Sequence, residues 1–174
     1  SDMVIGHNLN RVIPSDMEQP IQHHGIAIVF EGRLFPPLDG CEVLEVAEKI
    51  GKNPEDEAGH LIRDLDGSYV FALLYRNHII AGRDALGTVP LYCGENDEAY
   101  ALASERKALW ALNMENVRSF PPGSLALISR EGLSFQPVKT VVKPRERYVM
   151  MDGSLEELRS LLSESIRERT IGLK

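Results

Sequence analysis

The chain has 174 residues, enough for one full-sized domain, and its 43% hydrophobic and 26% charged residues are those of an ordinary globular protein. A formal net charge of −7 argues against nucleic-acid binding, which normally needs a basic face, and no apolar run approaches the roughly 20 residues of a membrane span. No charged-then-apolar leader opens the chain, and Cys41 and Cys93 form no C-x-x-C pair, so the expectation is a cytoplasmic protein with reduced thiols.

Met3 to Leu9 is a short apolar-rich run that reads as a strand, and Gly25 to Phe35 (GIAIVFEGRLF) is a longer one closed by Pro36-Pro37. The period then changes. Val43, Leu44, Val46, Ala47 and Ile50 share a helical face, with Gly51 as the stop. Asn53-Pro54 opens a second helix, and Glu55, Asp56 and Glu57 favour the positive end of its dipole. Ala58, Leu61, Ile62 and Leu65 are its buried stripe, and Asp66-Gly67 is read as its end.

A β region follows. Ser68 to Tyr75 and His78 to Arg83 flank Arg76-Asn77, a tight hairpin turn. Pro90 to Gly94 and Ala99 to Ser104 flank a second turn at residues 95–98, and Glu105 to Leu112 is a short helix carrying Trp110. Ser124 to Ser129 and Leu133 to Val138 form a third hairpin around Arg130-Glu131-Gly132. Strands grouped in hairpins with helices between them predict an α+β domain with largely antiparallel sheets.

Thr140 to Met151 has the composition of a linker, with Pro144 amid alternating charge. Ser154-Leu155-Glu156-Glu157 is a capping box. Leu155, Leu158, Leu161, Leu162 and Ile166 form the apolar stripe of the helix it starts, which has no evident partner in the preceding domain. Self-association through that stripe is one expectation.

Residues 82–92 (GRDALGTVPLY) are similar to a signature segment of the class II glutamine amidotransferases, in the branch that includes asparagine synthetase. The resemblance continues through residues 103–109 (ASERKAL) and 119–124 (SFPPGS). Upstream, residues 64–75 (DLDGSYVFALLY), Gly6-His7, Gln19-Pro20 and the segment from Cys41 to Leu44 fall in the same order as in the family. The resemblance implies a four-layer αββα sandwich of the N-terminal-nucleophile type. It also implies residues 1–142 as a glutaminase-like domain, 143–153 as a linker, and 154–174 as a helix leading into an ATP-pyrophosphatase synthetase domain outside this chain. ATP and magnesium belong to that second domain, so no cofactor is expected in this one.

The family hydrolyses glutamine with an N-terminal cysteine whose own amino group is the base. Residue 1 is Ser1, and the resemblance begins downstream of that nucleophile, so no catalytic residue is assigned. The family's carboxylate-binding arginine corresponds to Leu9, with Arg11 two positions later as the nearest substitute. Its N-G-E motif, which supplies an oxyanion-hole asparagine and substrate contacts, reads Glu31-Gly32-Arg33. Its amine-binding aspartate corresponds to Gly40, with Asp39 adjacent. Gly32 and Arg11 are therefore the substrate-binding candidates.

Cys41 with His7, His23, His24 or His60 is a thinkable thiol–imidazole pair, against which a buried structural thiol at a helix start is the favoured reading. His23-His24 occupies a turn-like stretch without further metal ligands in sequence, so no metal site is assigned. Arg83-Asp84 and Glu105-Arg106-Lys107 are read as structural or interface residues. The expected function is a glutaminase-like domain, nominally supplying ammonia from glutamine for ATP-dependent amide formation but inactive as a glutaminase. The alternative is a non-catalytic scaffold for a synthetase partner.

Overall fold

The computed structural model describes residues 3–36, 40–51, 53–143 and 151–170. In chain order the elements are β1 (Ile21–His23), β2 (Ile26–Phe35), α1 (Glu42–Ile50), α2 (Pro54–Asp64), β3 (Asp66–Tyr75) and β4 (His78–Arg83). They continue with β5 (Tyr92–Glu95), β6 (Tyr100–Ala103), α3 (Arg106–Ala111), β7 (Glu115–Ser119), β8 (Ser124–Ser129), β9 (Gly132–Pro137) and α4 (Met151–Thr170).

Six strands form an antiparallel sheet in the order β1-β2-β3-β4-β8-β9, and three form a second in the order β6-β5-β7. Side chains on a strand alternate between faces, and the larger sheet uses both. Tyr69, Phe71 and Leu73 of β3 join one core with Val43, Val46 and Ile50 of α1 and Leu61 and Ile62 of α2. Val70 and Ala72 of the same strand join the opposite core with Leu91, Leu102 and Phe120, which belong to the smaller sheet and its flanks. Leu109 of α3 is fully buried, and α3 packs against β5, β6 and β7. The layers are thus helices, large sheet, small sheet, helix, the expected αββα order.

The hairpins form where expected. Tyr75 pairs with His78 across Arg76-Asn77, and Arg76 takes the left-handed conformation (φ 52°) that a tight turn demands. Gly51 ends α1 at φ 55°.

Other boundaries differ. Residues 3–9 alternate half-buried and exposed positions as an extended chain does, but among the described residues no ladder partner makes them a strand. Asp66 and Gly67 do not close α2; Leu65 does, and β3 starts at Asp66, pairing with Phe35. Strands β1 and β7 lack a sequence signal, being three residues long and largely polar respectively. Helix α4 begins at Met151, ahead of the capping box, and its residues from Leu155 to Ile166 stay largely exposed. Most of the expected linker, residues 144–150, and the last four residues of the expected helix, 171–174, lie outside the described residues.

Candidate functional site

The long strand β2 carries Glu31, Gly32 and Arg33 against β3, in register with Val70, Tyr69 and Ser68. Gly32 has φ 133°, and a Cβ there would lie 2.1 Å from the Ser68 carbonyl oxygen. The strand contact alone therefore requires glycine. The loop before β1 folds over this part of β2, and the first turn of α1 closes the third side.

Gln19 fixes the loop to the strand. Its side chain donates to the Phe30 carbonyl (3.0 Å) and accepts from the Phe30 amide (2.6 Å), completing a backbone-like pairing. Asp16 fixes the loop to itself, accepting from the Val12 amide (2.6 Å) and the Ile13 amide (2.9 Å).

Between these walls is a small open cleft lined by His7, Leu9, Asp16, Phe30, Arg33 and Glu42, among others. Its volume is about 40 Å³, room for about three water molecules. Arg33 lines it already paired. Its Nη2 lies 3.0 Å from Asp16 Oδ1 and donates to Oδ2 (3.1 Å), while Nη1 donates to the Gly32 carbonyl (2.9 Å) and sits 3.8 Å from Glu42 Oε1. Asp16 and Glu42 are both shielded, with side chains 9% and 8% exposed, so Arg33 neutralises two carboxylates that water reaches poorly. Burial pushes the Asp16 carboxyl up, but the Ile13 and Val12 amides and the Arg33 guanidinium outweigh it and hold the group below its usual range.

Leu9 lines the cleft with an apolar side chain where the resemblance implies a cation. Arg11 is exposed and is not among the lining residues. Glu31 extends outward, its carboxylate 3.2 Å from His7 Nε2. Gly40 is exposed beside α1, and Asp39 lies outside the described residues. Asp16 is the partner that sequence reading missed; the turn-forming Pro14-Ser15-Asp16 was its available signal.

Cys41 stands at the N-cap of α1, lining the cleft and half-buried rather than buried, while Cys93 is buried in β5; both are free thiols. No hydrogen bond joins Cys41 to His7, His23, His24 or His60. Arg83 and Asp84 are 7% and 2% exposed and knit the core together. Arg83 donates to the carbonyls of Val89, Gly87 and Phe120 and to Ser119 Oγ, and Asp84 accepts from the Leu86 and Gly87 amides. Glu105 and Lys107 form an exposed pair at 2.6 Å, and Arg106 lies over the Tyr92 ring.

A family model described as a glutamine amidotransferase domain matches residues 39–111. An amidophosphoribosyltransferase of Archaeoglobus fulgidus is 31% identical over 140 residues, covering 76% of this chain and 28% of the relative. A glutamine-hydrolysing asparagine synthetase of Arabidopsis thaliana is 31% identical over 146 residues, covering 76% of this chain and 25% of the relative. This chain therefore spans about a quarter of the length of those curated relatives. Among solved structures, an allosteric regulatory enzyme of purine biosynthesis superposes with a TM-score of 0.62 at 21% identity, over 70% of this chain and 31% of that one. The glutamine phosphoribosylpyrophosphate amidotransferase from B. subtilis, in complex with ADP and GMP, gives 0.59 at 23% identity, over 70% and 32%. Both support the fold. No described helix is long and apolar enough to cross a membrane.

Proposed function

Because this chain belongs to the class II glutamine amidotransferase family, we propose that it is the glutaminase-like domain of an asparagine synthetase-related protein whose glutamine pocket no longer admits glutamine. The nominal role of such a domain is to supply ammonia for ATP-dependent amide formation by a synthetase domain, which also holds the ATP and magnesium. Domain boundaries at residues 1–142, a linker over 143–153 and a helix over 154–174 belong to this proposal, as does a cytoplasmic location.

The observation that carries the reading is Arg33. An amino-acid substrate needs an anionic partner for its ammonium and a cationic one for its carboxylate. Here the position that the resemblance gives to a substrate-contacting glutamate holds a cation, already paired with Asp16 and close to Glu42, and the position given to the amine-binding aspartate holds Gly40. The position given to the carboxylate clamp holds Leu9, and the oxyanion position holds Glu31, an acceptor without an N–H. Admitting glutamine would require breaking the Arg33–Asp16 pair and leaving shielded charges unpartnered.

The same observation favours a second reading, in which the domain scaffolds or gates a synthetase partner fed by free ammonia. The row of Leu155, Leu158, Leu161, Leu162 and Ile166, each at least 52% exposed, supplies apolar surface for that partner or for a second copy. Thermal denaturation with millimolar L-glutamine tests the closed pocket. An unchanged midpoint is expected, and a saturable rise would overturn the reading.

A further inference from the structure

We propose that His23, His24 and Glu48 bind a divalent transition-metal ion of the zinc class, at a site separate from the cleft. His23 is the last residue of β1, and His24 and Gly25 make the two-residue turn into β2. Successive side chains on an extended chain point to opposite faces. His24 escapes this rule because it is left-handed, with φ 45°. Its ring therefore comes back beside that of His23, with centroids 4.2 Å apart.

Helix α1 supplies the third ligand. Glu48 Oε2 lies 2.8 Å from His23 Nε2, and one donor atom from each of the three residues falls within 4.8 Å of the others. Two donors bound tetrahedrally to one zinc ion at about 2.0–2.2 Å sit roughly 3.3–3.6 Å apart, so His23 Nε2 and Glu48 Oε2, at 2.8 Å, need to part by only about half an ångström to admit the ion. His24 needs only a side-chain adjustment. His23 Nε2 is shielded from solvent and makes no hydrogen bond of acceptable geometry, despite its closeness to the carboxylate. A buried imidazole nitrogen facing a carboxylate without a hydrogen bond suits a shared cation. Lys49, the adjacent cation, is engaged with Glu45 at 3.1 Å, so the partner that faces Glu48 is His23 itself.

Two imidazoles and one carboxylate suit zinc and its neighbours better than calcium or magnesium, which prefer all-oxygen shells. Three protein ligands leave a position for water. The ion would clip the β1–β2 turn to the C-terminal half of α1. Glu48 stands six helical steps beyond Glu42, which lines the cleft, or about 9 Å of helix rise.

The test is calorimetric titration of the untagged, metal-stripped protein with zinc chloride, paired with thermal denaturation. His24→Gly removes one ligand while keeping a residue suited to positive φ, and Glu48→Gln removes another on an exposed helix face. His60→Gln is the control, since His60 pairs with Glu57 on α2, away from the cluster. The expected result is one equivalent of zinc, a Tm rise on the order of 5 °C at a hundredfold excess over Kd, and at least about tenfold weaker binding in both ligand variants. The control should bind as the parent does. Absence of stoichiometric binding, or equal affinity in the parent and both ligand variants, would overturn the proposal.

Discussion

Arg33 Nη2 on β2 touches both carboxylate oxygens of Asp16, at 3.0 and 3.1 Å, and so ties the loop before β1 to the strand floor of the cleft. The pair does more than fill space. Asp16 also holds the Val12 and Ile13 amides, so one carboxylate sets the loop's shape and satisfies the cation inside it.

Replacing Asp16 should therefore destabilise the fold and not merely relax a surface loop. Asp16→Ala leaves two amides and a guanidinium without their acceptor, and a loss of about 1–3 kcal/mol is expected. Urea denaturation at neutral pH measures it. The effect is pH-dependent with a definite sign. The folded-state carboxyl lies below its usual range, so its stabilisation is present above the unfolded value of about 4 and is lost as pH falls through the folded value. The difference between the parent and Asp16→Ala should shrink below about pH 4; a difference that grew in acid would contradict the assignment.

Gly32 is fixed by backbone geometry whether or not it ever touches a substrate. With φ 133° and the Ser68 carbonyl 2.1 Å from any added Cβ, Gly32→Ala must shift β2 away from β3. A loss of about 3 kcal/mol or more is expected, read by urea titration. A near-neutral Gly32→Ala would show that the strand pair can yield, and that Gly32 has some other role.

Arg83 should prove as important to folding as any apolar core residue. It is 7% exposed and donates to three carbonyls and a hydroxyl that join β4 to the segments around residues 87–89 and 119–120. Arg83→Ala leaves those acceptors unpaired, at an expected loss of about 3 kcal/mol or more. Arg83→Lys should recover only part of it, because an ammonium cannot span the same fork. Full recovery by lysine would show that charge alone matters.

The two cysteines should differ in reactivity. Burial pushes the Cys93 thiol up, so little thiolate forms near neutral pH, whereas Cys41 stands half-buried at the cleft. A disulfide-exchange reagent added to native protein at pH 7.5 should modify Cys41 first, with Cys93 reacting only on unfolding. Equal rates in the native protein would contradict the placement.

The elements were legible locally, while their layering came only with the resemblance. The apolar run of β3, the Arg76-Asn77 turn and the helical stripe from Val43 to Ile50 each signal locally the structure they adopt. The misses share a physical cause. Strand β1 is three residues long, β7 presents mostly exposed polar side chains, and residues 3–9 have a strand's composition without a ladder partner among the described residues, so pairing at a distance decides all three. The cleft was legible as a list of altered positions, Leu9, Glu31, Arg33 and Gly40. That Arg33 is paired across it was not, because its partner Asp16 lies 17 residues away, in a segment that carried no reading of its own. The His23–His24–Glu48 cluster was hidden for the same reason, since Glu48 reads as one more exposed helix residue.

The most direct test is an amide-resolved NMR titration of the ¹⁵N-labelled chain with L-glutamine into the millimolar range, following the Glu31 and Gly32 amides and the Arg33 side chain. With the cleft held by Arg33 and Asp16, the expected result is no saturable shift at any of the three. Saturable shifts centred on these residues would show that the pocket opens to glutamine, and would contradict the closed-pocket reading.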